Sequence, residues 1–208
     1  MEIFAYGEDA LTLWALQNKL ALILQTLGDD SDPTQCQIFF RPSFGRRGGE
    51  KSAQFGEFDF IVLATSAIYL GESKWLYSSE QIVDGILTLR HEQMLRHALF
   101  KFYVEEWAFG NHDSWHNWTV TAKDKLRELG IEKPLAPELS LLAANLQVIL
   151  RLIRERYTAV PPVRNVLLFL HSGAVTAHIP VGAGTDFDVV PIDYSEGVFE
   201  NFIKLTLT

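Results

Sequence analysis

The chain has very little cysteine and no long hydrophobic run. A single cysteine, Cys36, among 208 residues excludes an intramolecular disulfide and a zinc site built on several cysteines. No apolar run approaches the ~20 residues that a membrane-spanning helix needs. The opening MEIFAYGED is acidic and lacks the basic start and apolar core of a signal peptide. We therefore expect a cytoplasmic protein without a membrane partner.

The sequence also lacks an excess of basic residues, since 18 Lys and Arg stand against 26 Asp and Glu and give a formal net charge of −8. Proteins that coat nucleic acid nonspecifically usually carry a basic excess, so this charge argues against that class. A nuclease is not excluded, because local charge matters more than the total. Residues 41–51 (RPSFGRRGGEK) carry four basic residues against one acidic. This stretch is either a loop that contacts DNA, with Arg46 and Arg47 as candidates, or a solvated glycine-rich loop.

Length and hydrophobic content set the scale of the fold. With 208 residues, 48% of them hydrophobic, the chain is long enough for one full α/β core with a decorating subregion. We expect a single domain spanning 1–208, with a helical insertion at about 111–160.

Residues 55–75 (FGEFDFIVLATSAIYLGESKW) read as a β-hairpin with two largely apolar faces, which predicts a central place in a covered sheet. The tip is Thr65-Ser66 or the slightly wider Ala64 to Ala67, and the turn fixes the register of the two strands. The predicted pairs are Leu63 with Ile68, Ile61 with Leu70, Asp59 with Glu72, and Glu57 with Lys74.

This register places charge on a face that is otherwise apolar. Opposed side chains have Cβ atoms ~4.5–5.5 Å apart, so Asp59 and Glu72 repel unless one is protonated or a cation lies between them. A divalent metal held by these two carboxylates, with Lys74 beside it, removes the conflict. The alternative is a set of ordinary ion pairs at a sheet edge.

An Asp on one strand followed by Glu-x-Lys on the next resembles the PD-(D/E)xK nuclease superfamily. The wording GEFDF…IYLGESK is similar to the GEID…EVK form of its NERD-type and resolvase-like members, although Phe58 replaces the Pro of the family name. The resemblance implies a restriction-endonuclease-like αβββαβ core with a mixed central sheet flanked by helices. It further implies Mg²⁺-dependent hydrolysis of DNA phosphodiester bonds, with Mn²⁺ as a substitute and with Asp59, Glu72 and Lys74 as catalytic residues. Besides DNA, the other possible partner is a second copy of the chain, in a homodimer.

Glu8 is a further candidate for the metal site. The stretch 8–27 has apolar residues at helical spacing and ends at Gly28, which predicts an amphipathic helix. In the family, a Glu on the first helix often completes the metal site, and Tyr6-Gly7-Glu8 resembles that segment. The alternative is that Glu8 simply favours the helix N-terminus through the helix dipole.

The remaining patterns place further elements along the chain. Ser78 with Gln81 forms a capping box, which predicts a long helix to about Trp107. The other predicted elements are a strand at 36–40, helices at 123–129 and 137–157, strands at 163–171, 175–181 and 187–192, and a closing helix at 196–205.

Several polar residues outside the hairpin invite functional interpretations. Gln93 and His97 share a helix face and loosely resemble the Gln-x-x-x-Tyr motif of RecB-type nucleases, but a solvated face explains them as well. Trp115 and Trp118 are candidates for stacking on a base, with packing as the simpler explanation. His112 and His116 have the i,i+4 spacing of a metal-binding pair, but the HExxH motif of zinc proteases is absent. Ser172 could form a catalytic triad with His171 and His178, but no GxSxG motif surrounds Ser172.

Two classes of function therefore remain. The first is a metal-dependent endonuclease, and the second is a noncatalytic protein of the same fold that serves as a binding or assembly module. The acidic net charge and the lack of a recognisable DNA-reading motif keep the second class open.

Overall fold

The chain folds as a mixed α/β protein around a large mixed sheet flanked by helices. The computed structural model describes residues 1–45, 52–75, 82–173, 179–184 and 186–206. The chain divides into two compact units. Unit 1 comprises Met1–Arg41, Phe58–Leu89 and Val163–Thr208, and unit 2 comprises Pro42–Glu57 and Arg90–Pro162.

The described residues form strands β1 to β13 and α-helices α1 to α5. The strands are β1 (Glu2–Ala5), β2 (Gln37–Phe40), β3 (Ser43–Phe44), β4 (Gly56–Glu57), β5 (Phe60–Leu63), β6 (Ile68–Trp75), β7 (Ile82–Val83), β8 (Ile86–Leu87), β9 (Val163–His171), β10 (Gly182–Ala183), β11 (Phe187–Asp193), β12 (Val198–Phe199) and β13 (Phe202–Thr206). The α-helices are α1 (Glu8–Asn18), α2 (Leu20–Thr26), α3 (His91–Phe102), α4 (Trp115–Glu128) and α5 (Leu141–Arg156).

Unit 1 contains an eight-stranded sheet with the order β2-β5-β6-β9-β11-β10-β8-β7. Strand β6 pairs antiparallel with β5 and parallel with β9, and β9 pairs parallel with β11. The continuous apolar run of β9 is buried from Asn165 onward, as a strand between two parallel neighbours requires. The predicted strand at 163–171 is therefore confirmed, and the strand predicted at 187–192 is β11.

Helices α1 and α2 cover one face of this sheet. Their apolar residues form one buried cluster with sheet residues such as Phe60, Val62 and Leu168. The helix predicted at 8–27 is interrupted at Lys19, whose φ and ψ of −123° and 10° are not helical. Gly28 ends α2 as predicted, with a φ of 70° that a residue without Cβ adopts readily.

The long helix predicted from Ser78 is wrong over 82–90. Residues 82–87 form the hairpin β7–β8, and Asp84 and Gly85 at its turn have φ values of 51° and 79°. This is the left-handed turn that Asp-Gly favours between short apolar strands. The helix begins only at His91, and Ser78 and Gln81 lie outside the described residues.

The closing helix predicted at 196–205 is also wrong. Residues 198–206 instead form the hairpin β12–β13, and β13 pairs antiparallel with β1 in a separate three-stranded sheet. In β13 exposure alternates strictly, with Ile203 and Leu205 buried, which is the period of a strand and not of a helix. Most of the strand predicted at 175–181 lies outside the described residues.

Unit 2 has an aromatic core. Tyr103 packs against Phe55, Trp115 and Trp118, and its hydroxyl accepts a hydrogen bond of 2.9 Å from the Ala136 backbone N–H. Helix α3 continues as a π-helical segment over Tyr103–Ala108. The helix predicted at 123–129 is only the second half of α4, which begins at Trp115 after the capping residue Ser114. The helix predicted at 137–157 is α5, which begins after the capping residue Ser140. Among the described residues, no helix is both long and apolar enough to cross a membrane.

Candidate active site

The central hairpin has the predicted tip and a shorter ladder than predicted. The Ala64 N–H donates to the Ala67 carbonyl oxygen at 3.0 Å, and the pairs Leu63 with Ile68 and Ile61 with Leu70 are confirmed. Pairing ends one step further out, at Phe60 with Gly71. Strand β6 continues to Trp75, and among the described residues no strand pairs with it on this side beyond Gly71.

Asp59 lies at the point where the ladder ends. Its N–H donates to the Gly71 carbonyl oxygen at 3.2 Å, although Gly71 is the register partner of Phe60. Two successive residues thus meet one residue of the opposite strand, which is the pattern of a β-bulge. Asp59 therefore stands beside the end of the ladder and does not pair with Glu72 within it.

The predicted pairing of Glu57 with Lys74 is wrong. Glu57 belongs to β4, where it pairs with Ser43 of β3 in unit 2. Because the bulge at Asp59 redirects the chain, the residues before it bond to β3 and cannot extend the hairpin.

Two carboxylates occupy the edge of β6 that β5 leaves open. Asp59 Oδ2 accepts a hydrogen bond of 2.7 Å from the Ser73 backbone N–H, and Glu8 Oε2 accepts one of 2.9 Å from the Trp75 backbone N–H. Backbone donors at a strand edge need partners when water is excluded. Glu8 thus reaches β6 from the first turn of α1, although the two lie 67 residues apart.

Glu72 and Lys74 project from the same face of β6, because side chains two residues apart in a strand share a face. They are only 2% and 9% exposed. Lys74 Nζ lies 3.9 Å from Glu8 Oε1. Charged residues are seldom buried to this extent unless they are paired, so their burial at one place marks an unusual site.

Electrostatics link Asp59 to the other three residues. Burial is the largest cause that raises the pKa of Asp59, and the negative charge of Glu72 raises it further, to about 7. The Ser73 N–H and the charge of Lys74 act in the opposite direction, and Glu8 adds a smaller upward contribution. Asp59, Glu72, Lys74 and Glu8 therefore form one interacting group, which we call the β6 cluster.

The carboxyl ends of three neighbouring parallel strands meet beside this cluster. The register pairs Lys74 with Phe169 and His171 with Asp193, so Lys74, His171 and Asp193 fall on one face of the sheet. His171 is 9% exposed, and its Nδ1 lies 3.0 Å from the Gly173 carbonyl oxygen. Lys74, His171 and Asp193 each lie near the end of an apolar run in the sequence. This position at the carboxyl end of a predicted strand is the one sequence feature that the three residues share.

The structure describes only some of the residues that were predicted to bind nucleic acid. Arg46 and Arg47 lie outside the described residues. Gln93 is buried, and its Oε1 accepts a hydrogen bond of 3.0 Å from the Arg90 N–H at the start of α3. His97 is 1% exposed. Gln93 and His97 therefore do not lie on a solvated helix face.

The weaker patterns have structural explanations. Trp115 and Trp118 are 3% and 1% exposed, so neither indole is available to stack on a base. His112 Nε2 lies 2.7 Å from the Glu106 carbonyl oxygen, and Nδ1 of His171 is engaged with Gly173. His178, the third residue of the suggested triad, lies outside the described residues.

In the described part of the chain, no group of three or more His, Cys, Asp or Glu side chains is arranged to hold a metal ion. No protein-family model, curated protein or solved structure matches the sequence or the fold. A functional assignment therefore has to come from the chemistry of the β6 cluster.

Proposed function

We propose that the β6 cluster is the active site of a Mg²⁺-dependent nuclease that hydrolyses phosphodiester bonds in DNA. The observation that carries the proposal is the meeting of Asp59, Glu72, Lys74 and Glu8 at the open edge of one strand. Three carboxylates and one ammonium in a largely buried setting are a costly arrangement for stability alone.

The order of elements supports the same proposal. Helix α1, strand β2, the hairpin β5–β6, helix α3 and strand β9 follow one another as in an αβββαβ core. The strands β2, β5, β6 and β9 are also neighbours in the sheet, with β6 and β9 parallel. A restriction-endonuclease-like core is therefore part of the proposal.

The carboxylates fit a hard divalent cation. In the absence of a cation, burial and, to a smaller extent, the charge of Glu72 disfavour the charged form of Asp59, which is the conflict that a bound cation would offset. Mg²⁺ commonly binds proteins through one or two carboxylates and keeps several waters. Asp59 and Glu72 would hold it, with Glu8 as a third carboxylate, and Mn²⁺ would substitute. When bound, the ion would polarise the phosphate and lower the pKa of a coordinated water.

Lys74 has the role of a hydrogen-bond donor in this proposal. Its ammonium is held near Glu8 and can donate to a water and to a phosphate oxygen that gains charge during hydrolysis. Removing one such donor typically lowers a rate by ~10²–10³. Because Lys74 is only 9% exposed, its removal also takes a cation away from neighbouring carboxylates, which costs ~3–5 kcal/mol of stability when such a group is buried.

The decisive experiment compares Lys74→Ala with the wild type on single-stranded, duplex and branched DNA in Mg²⁺. We expect cleavage by the wild type and a loss of at least a hundredfold in the variant, both assayed at a temperature at which circular dichroism shows the variant to be folded, because removal of this buried cation also lowers stability. Lys125→Ala is the matched control, because Lys125 forms an exposed pair with Glu106 at 2.8 Å in unit 2. Equal cleavage by Lys74→Ala and the wild type would refute the assigned role.

A noncatalytic binding or assembly module is the second candidate, and one observation favours it. Asp59 and Glu8 already accept the backbone N–H groups of Ser73 and Trp75 at the open edge of β6, a role that requires no metal. This candidate predicts no cleavage of any DNA form by the wild type. It also predicts that millimolar Mn²⁺ leaves the melting temperature of the wild type and of Asp59→Ala unchanged, whereas a metal that binds only the folded state would raise the former.

A further inference from the structure

A groove in unit 2 carries cationic and aromatic side chains that the nuclease proposal does not use. It has a volume of about 360 Å³ and is formed by residues of the π-helical segment and of α5. Ligand pockets typically span ~300–1,000 Å³, so the groove has room for one small ligand. The lining residues that matter here are Trp107, Gln147, Val148, Arg151, Arg154 and Glu155.

Arg154 is held in place on one side of the groove. Its guanidinium lies 5.2 Å from the centroid of the Phe109 ring, and its Nη1 is 3.5 Å from the Tyr157 carbonyl oxygen. A guanidinium has five N–H donors in a planar fork that suits phosphate oxygens. Because these two contacts occupy only part of the fork, Arg154 keeps donors for an anion.

Arg151 lies one helical turn before Glu155 and pairs with it loosely. Arg151 Nε is 3.8 Å from Glu155 Oε1, and the two side chains are 68% and 63% exposed. Exposed pairs of this kind contribute only ~0–1 kcal/mol. A phosphate can therefore recruit Arg151 at little cost, while Glu155 weakens the attraction.

Trp107 supplies an aromatic ring to the lining of the groove. Its indole contacts Trp115 edge-on with ring centroids 4.8 Å apart, lies 5.4 Å from Trp118, and is parallel to the His112 ring at 6.0 Å, while the side chain remains partly exposed. The ring is thus anchored from within unit 2. Trp107 belongs to the π-helical segment. The π-helix is rare in proteins, and where it occurs it often lies at a functional site.

We propose that this groove binds a nucleotide. Arg151 and Arg154 would hold the phosphate, and the partly exposed indole of Trp107 would contact the base, since arginine forks and aromatic faces are the usual contacts of nucleotides. A free nucleotide and one nucleotide of a single strand share this chemistry. The inference does not depend on DNA cleavage, because binding can be measured without a metal.

The experiment measures fluorescence anisotropy of a labelled ten-nucleotide oligo(dT) with the full chain, in EDTA and at low salt. We expect the variant Arg151→Glu/Arg154→Glu to bind at least tenfold more weakly than the wild type. The plot of log affinity against log salt should also flatten, because each lost phosphate contact reduces the slope by ~0.7 for a single strand. AMP as a competitor distinguishes the two sources, since displacement at micromolar AMP indicates a free nucleotide and displacement only by unlabelled oligo(dT) indicates a strand.

Two further variants sharpen the test. Arg127→Glu is the matched control, because Arg127 is an exposed arginine of α4 that pairs with Asp124 and does not line the groove. Glu155→Gln removes the competing negative charge and should strengthen binding several-fold. Failure of both AMP and oligo(dT) to bind the wild type would overturn the inference, as would equal losses in Arg127→Glu and the double variant.

Discussion

Replacement of Asp59 with asparagine should stabilise the protein at neutral and alkaline pH. Burial and the charge of Glu72 raise the pKa of Asp59 from 3.8 to about 7. Between these two values the folded protein holds a proton that the unfolded chain has released. The free energy of unfolding therefore decreases as the pH rises from about 4 to about 7. Above pH 7 Asp59 is ionised in both states, and the whole destabilisation caused by its buried charge is present.

The expected size of the effect follows from the shift. A difference of about 3 pH units at ~1.36 kcal/mol each gives an upper limit of about 4 kcal/mol. An asparagine at this position keeps a side-chain oxygen that can accept the Ser73 N–H, so the substitution removes the charge and leaves the hydrogen bond in place. The gain should therefore approach this limit.

The assay is urea unfolding of the wild type and of Asp59→Asn at several pH values between about 4 and about 8, with EDTA present. Because groups outside the β6 cluster titrate equally in both proteins, the difference between the two curves reports on Asp59 together with the cluster residues that it interacts with. We expect this difference to be small near pH 4 and to grow to several kcal/mol above about pH 7. Parallel curves across this range would refute the electrostatic description of the β6 cluster. A metal site further requires that Mg²⁺ stabilises the wild type at about pH 8 more than the variant.

Three other substitutions test separate parts of the structure. Burial raises the pKa of Asp29, but hydrogen bonds from neighbouring hydroxyl and backbone N–H groups outweigh it and lower the pKa to about 2. Asp29→Asn should therefore lower the urea midpoint at about pH 7, opposite in sign to Asp59→Asn, with the difference shrinking as the pH falls toward about 2. Gly71→Ala would place a Cβ against the Phe60 ring, closer than van der Waals contact allows, and we expect a loss of ~1–3 kcal/mol, which a midpoint unchanged in urea would contradict. Tyr103→Phe leaves the buried Ala136 N–H without its acceptor, and we expect the melting temperature to fall by an amount equivalent to ~1–3 kcal/mol.

Local patterns predicted the centre of the sheet well and its margins poorly. The hairpin tip at Thr65-Ser66 and the strand β9 follow from apolar periodicity, which both faces of a buried sheet enforce. Ile82 and Ile86 have helical spacing, yet the Asp84-Gly85 turn between them determines the local structure. In β13, buried and exposed residues alternate because the strand pairs with β1. The local sequence around β13 does not identify this partner, which lies far away along the chain.

The candidate site was predictable in its composition but not in its geometry. Asp59, Glu72 and Lys74 stand out because charge interrupts an apolar hairpin. The bulge takes Asp59 out of the ladder and leads the chain into the pairing of β4 with β3, which no pattern in the sequence indicates. The contact of Glu8 with the Trp75 N–H depends on how α1 packs against the sheet, which only the folded structure determines.

The pairing of β1 with β13 has a consequence for synthesis of the chain. Glu2 pairs with Thr206, and Ile203 and Leu205 help to cover the apolar face of α1. A ribosome adds ~5–20 residues per second, so α1 emerges roughly 10–40 s before β13, one of the strands that cover it, is made. During that interval the part of its apolar face that β13 covers is free to bind chaperones or other nascent chains.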